Sequence, residues 1–136
     1  MGAGRVIVQA LVLIHVGFAV WALAGLAEFV IPDPPWPAVS NPRFPTWMLA
    51  LQWVASLIGA GVLIIGAARR WPGTPRALAA AYGLMAAICA TQLASGMIER
   101  PGHWRELATE YVTYAVILAL MFFARSVRRE FGIGES

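Results

Sequence analysis

Lysine is absent from this chain and cysteine nearly so: all ten basic residues are arginine, and Cys89 stands alone. One cysteine excludes a disulfide within the chain and a redox Cys-x-x-Cys pair, and reads as a small packing residue. Two histidines at different depths, His15 and His103, with one cysteine, do not make a metal or haem site. Charge is scarce too, 12% of residues against 60% hydrophobic, too little for a soluble domain of 136 residues. No nucleophile stands with a base and an orienting group, and the P-loop and dinucleotide glycine patterns do not occur. The pI near 9.8 would suit nucleic acid, but the arginines gather at the ends of apolar runs, the ordinary membrane pattern, so no nucleic-acid partner is expected.

What the chain has is four apolar stretches, over about 5–31, 46–68, 75–98 and 104–129. Each is long enough to cross a bilayer, which takes about 20 residues. They use most of the sequence and leave no room for a soluble catalytic domain. The expectation is one domain, 1–136, an all-α integral membrane bundle of four transmembrane helices with the lipid bilayer as its first partner. Arg5 followed by an apolar run and Ala22-Leu23-Ala24 imitates a cleavable leader, but the run is long for one, and the first span is read as uncleaved.

Breakers divide the spans. Six of the fourteen residues 32–45 are proline, which fixes φ and removes a donor, so this outer loop reads as a stiff strut or lid. Thr46 is placed as the N-cap of the second helix and Thr74 as that of the third, with Pro75 in its first turn. Gly59 and Gly61 are expected to let another backbone approach, and the many small residues of the third helix put it near the bundle centre. Pro101-Gly102 ends that helix and Gly132 stops the fourth.

Seven arginines lie at the N-terminus, the loop between helices two and three, and the C-terminus, against three on the other side. This bias predicts both termini in the cytoplasm and a multi-pass protein of the cell's inner (plasma) membrane. Depth then follows. Glu28, Gln52, Ser56, Gln92, Ser95, Glu110, Thr113 and Tyr114 fall in the outer half of the four helices, on faces with spacings of three and four. A carboxylate facing lipid costs about 2.5–3.5 kcal/mol, so these faces are expected to turn inward around a cavity with an apolar plug beneath, closed over by Trp104 and the proline loop. Interhelical polar pairs also serve as glue, at about 0.6 kcal/mol each, which suits Gln52 and Ser95. Glu110 is the candidate functional and, in an enzyme, catalytic group: burial would favour its neutral acid, a donor to a ligand carbonyl. His15 reads as a hydrogen-bonded core histidine pointing away from Glu28.

The run Leu57-Ile58-Gly59-Ala60-Gly61-Val62-Leu63-Ile64-Ile65-Gly66, then Arg70, then Pro75-Arg76-Ala77-Leu78-Ala79-Ala80, resembles the DoxX-like family of small four-span bacterial membrane proteins. Ser56 stands where that family usually carries a glutamate. The resemblance implies a bacterial inner membrane, a link to redox metabolism, and membrane oxidoreductase or other complex subunits as partners. The general plan is also similar to EXPERA sterol-binding bundles.

Three functional expectations result. The first is binding of a small apolar molecule, a quinone, isoprenoid or lipid, with no other cofactor evident. The second is an accessory subunit of a larger membrane complex, or a homo-oligomer, packed through small-residue faces. The third is an intramembrane isomerase or cyclase using acid–base chemistry at Glu110.

Overall fold

The computed structural model describes residues 2–96 and 103–134, the side chain of His103 excepted. Among the described residues five helices follow one another: α1 Ala3–Ala27, α2 Thr46–Ala68, α3 Thr74–Ala94, α4 His103–Phe123 and α5 Arg125–Glu130. The first four are each long and apolar enough to cross a membrane. Their outward faces agree: Leu13, Val20, Val112 and Phe123 are all more than 60% exposed, an arrangement costly in water and favourable in lipid. This is an all-helical, multi-pass membrane protein. The expected break at Pro101-Gly102, and Glu99 and Arg100 beside it, lie outside the described residues.

Several local expectations are corrected. Thr46 and Thr74 are not N-caps. Pro45 and Gly73 hold those positions, and both threonines are the first residue of their helix. Thr74 Oγ1 instead donates backward to Trp71 O at 2.6 Å, with its side chain buried against Gly66. Gly61 meets nothing, whereas Gly25 is a true close approach: a Cβ there would overlap the indole of Trp53. The most buried of the four long helices is α2, not α3. Small side chains on α3 face outward as well as inward, with Ala80, Gly83, Ala87 and Ala90 all exposed.

The fourth helix does not run on to Arg129. Ala124 leaves the helical region at ψ 106, and the chain restarts as α5. No proline or glycine marks this break; tertiary packing makes it. Val127 and Phe131 are completely buried, and the backbone of Ser126 sits where a side chain at position 4 would be. α5 ends in a left-handed glycine, Gly132 at φ +69, with Ile133 N donating to Arg128 O at 3.1 Å, the Schellman pattern. Arg70 holds it from outside, donating to Glu130 O at 3.2 Å and Arg129 O at 3.0 Å.

The order of packing is α1 on α2, α2 on α3 and α3 on α4, with α5 reaching back to both α4 and α1. The backbones of α1 and α4 hardly approach each other. One end of the bundle is therefore closed by α5 around an apolar core that includes Val8, Leu11, Leu63, Leu78, Ile117, Met121, Val127 and Phe131. Both described chain ends and Arg70 lie at this end. The opposite end carries Glu28 and the proline loop.

Candidate functional site

The half of the bundle beyond the apolar core contains a cavity of about 340 Å³. Its floor is a hydrogen-bonded aromatic stack. His15 is fully buried on α1, with Nδ1 2.8 Å from Leu11 O and Nε2 2.6 Å from the Tyr82 hydroxyl. A carbonyl can only accept, so Nδ1 carries the proton, and Nε2 of the neutral ring accepts from Tyr82. The Tyr82 ring stacks on Tyr114 with centroids 4.3 Å apart. The Tyr114 hydroxyl donates to the Glu110 carboxylate one helical turn away. Cys89 reaches the same carboxylate, its sulfur 3.6 and 3.7 Å from the two oxygens. One network thus joins α1, α3 and α4 across the interior.

The walls rise from this floor. α1 contributes Phe18 and Trp21 at helical spacing from His15, and α2 contributes Gln52, Trp53, Ser56, Gly59 and Ala60. α3 adds Met85, and α4 adds Glu106, Thr109, Glu110 and Thr113. Phe18, Trp21, Glu106 and Thr109 are exposed, so the rim lies on α1 and α4, whose backbones stand apart. Gly59 and Ala60 leave the space that larger side chains would fill.

Of the residues singled out in the sequence, Gln52, Ser56, Glu110, Thr113 and Tyr114 line this cavity. Gln92 stands behind the wall, donating from Nε2 to Gln52 Oε1 at 2.6 Å. Ser95 turns its hydroxyl to Gln92 O at 2.6 Å. Trp104 is 68% exposed and does not line the cavity, and neither does any residue of the proline loop. Glu110 meets two donors, Tyr114 and Cys89.

Glu28 has a different place. Its carboxylate accepts from Val39 N at 2.6 Å and Ser40 N at 3.0 Å, while Trp53 Nε1 donates to Ser40 Oγ at 2.9 Å. Partial burial pushes the Glu28 carboxyl up, but hydrogen bonds from the Ser40 hydroxyl and the two backbone N–H groups outweigh it and hold the group below the ordinary range. Glu28 is the staple that ties the loop to the helices, with Phe44, Met48 and Leu49 packed as a small apolar anchor.

His15, Phe18, Trp21 and Tyr82 were not assigned to a site from sequence. The sequence marks His15 as a hydrogen-bonded core histidine, but it does not say that the partner is Tyr82. Among the described residues, no three histidine, cysteine or acidic side chains gather as a metal would need. Compared with family models, with curated proteins and with solved structures, the chain matches none.

Proposed function

We propose that this protein binds a small, mostly apolar molecule dissolved in the membrane, of the quinone, isoprenoid or lipid class, in the cavity between α1 and α4. The observation that carries this reading is the cavity itself. Its volume of about 340 Å³ is within the range of small-molecule sites, and its aromatic and aliphatic walls hold a few convergent polar groups. The wide spacing of the α1 and α4 backbones and the exposed rim between them support entry sideways from lipid, without passage through water. Gln52, Ser56, Glu110, Thr113 and Tyr114 orient the polar end. The core beneath is mainly apolar among the described residues, which favours binding over transport. The arginine bias supports cytoplasmic termini, and the DoxX-like resemblance supports a bacterial inner membrane and a connection to redox metabolism.

The test compares retention of the co-extracted ligand in Glu110→Gln and Glu130→Gln. Glu130 lies on α5, away from the cavity, so retention falls only in Glu110→Gln. Equal retention in both removes the site.

A second reading, an accessory subunit, is favoured by the outer face of α3. Ala80, Gly83, Ala87 and Ala90 form an exposed stripe, and a Cβ added at Gly83 would meet nothing. Such a stripe suits close packing of a partner helix in lipid. A stable isolated monomer in mild detergent argues against it.

A further inference from the structure

The cavity wall is rich in hydrogen-bond acceptors and poor in donors. Ser56 Oγ gives its proton to Gln52 O at 2.9 Å, Thr109 Oγ1 to Arg105 O at 2.7 Å and Thr113 Oγ1 to Thr109 O at 2.7 Å. A hydroxyl has one proton and two lone pairs, so these three can present only lone pairs to an occupant. Tyr82 and Tyr114 have committed their protons to His15 and Glu110, and Trp53 its indole N–H to Ser40. The Glu110 carboxylate accepts from Tyr114 and Cys89 and keeps lone pairs beyond those two. The exceptions are the amide N–H₂ of Gln52 on the inner wall, whose oxygen is taken by Gln92, and the indole N–H of Trp21 at the rim. Two carboxylates, Glu106 and Glu110, line the cavity, and among the described residues no arginine does. Ring systems surround the space: His15, Phe18, Trp21, Trp53, Tyr82 and Tyr114.

From this wall we infer that the ligand's polar end is a positively charged hydrogen-bond donor, the ammonium group of a lipophilic amine. The inference rests on the binding reading above and narrows it. A quinone or other carbonyl compound brings acceptors to a wall of acceptors, whereas an ammonium brings three donors to Glu110, Ser56 and Thr113. Its charge meets the Glu110 carboxylate in a space where bulk water screens little. The aromatic faces add cation–π attraction, and the apolar body of the amine lies along the same rings.

The test uses the full chain in a nonionic detergent and four probes that share a naphthyl body: 2-naphthylmethylamine, 2-naphthylmethanol, methyl 2-naphthyl ketone and 2-naphthoate. Binding is read by equilibrium dialysis. The amine binds tighter than the ketone by about tenfold or more, the alcohol falls between them, and the carboxylate is weakest. The amine-to-ketone ratio collapses in Glu110→Gln and narrows in Thr113→Val, with folding of both variants checked by circular dichroism. Should Glu110→Gln fail to fold, the ratios of the wild type and Thr113→Val decide. Equal affinity for amine and ketone, or preference for ketone or carboxylate, overturns the ammonium assignment and leaves the binding reading standing. Failure of all four probes to bind overturns both.

Discussion

The bond between Tyr82 and His15 ties α1 to α3 at the base of the cavity, and replacing Tyr82 by Phe removes it with almost no change in shape. The hydroxyl and the imidazole are 2.6 Å apart, and the two residues are 3% and 0% exposed. Two magnitudes compete. Interhelical hydrogen bonds in membrane proteins average about 0.6 kcal/mol and reach about 1.7. A buried group left without its partner costs about 1–3 kcal/mol. Tyr82→Phe leaves Nε2 of a fully buried histidine with a lone pair and no donor, so the second effect dominates and a loss of about 1–2 kcal/mol is expected. Replacing His15 by Leu as well removes the orphaned nitrogen. The double variant therefore loses less than the sum of the singles, by about 1 kcal/mol. Unfolding in mixed micelles by titration with a denaturing detergent measures all four corners of this cycle. Nitrogen NMR of His15 reports the tautomer, expected with the proton on Nδ1. Additivity within about 0.3 kcal/mol, or a proton found on Nε2, would refute the account of the floor.

Four more outcomes follow. Gly25→Leu forces a side chain into the Trp53 indole and should separate α1 from α2, with a lower melting temperature and altered tryptophan emission. Gly61→Ala meets nothing and should be neutral or stabilising by up to about 1 kcal/mol. The Glu28 carboxyl is held below its unfolded value, so its contribution is complete above the unfolded pKa and is lost as pH falls through the folded one. Amide exchange at Val39 and Ser40 should accelerate in acid, and Glu28→Gln should show the fast rates already at neutral pH. Phe131→Ala empties a fully buried position at a cost of about 3–5 kcal/mol. It should release α5 from α1, read as proteolytic cleavage near Ala124 that the wild type resists.

The four long helices were legible because membrane insertion demands about 20 apolar residues in a row, a signal local in sequence. The inward polar faces of α2 and α4 were legible for a similar reason: lipid forbids the alternative. Gln52 and Gln92 could be placed at one depth, though not bonded to each other. Where helices face one another in the round, the sequence is silent. The pairing of His15 with Tyr82, the gap between α1 and α4, and Phe18 and Trp21 on the rim all depend on rotation and packing order, which no periodicity encodes. The break at Ala124 was hidden because no proline or glycine causes it. Buried Val127 and Phe131 cause it, by packing α5 back toward α1. Glu28 was read as part of an inward polar layer because its depth fitted, while its hydrogen bonds go to the proline loop.

The most direct measurement of the central claim is native mass spectrometry of the protein released from mild detergent, wild type beside Thr113→Trp. Thr113 is half-buried on the cavity wall, so an indole there fills the space while leaving the apolar core untouched. The binding account predicts a discrete small-molecule adduct on the wild type and its loss from the folded variant. A bare wild-type protein, or an adduct retained equally by both, would contradict it.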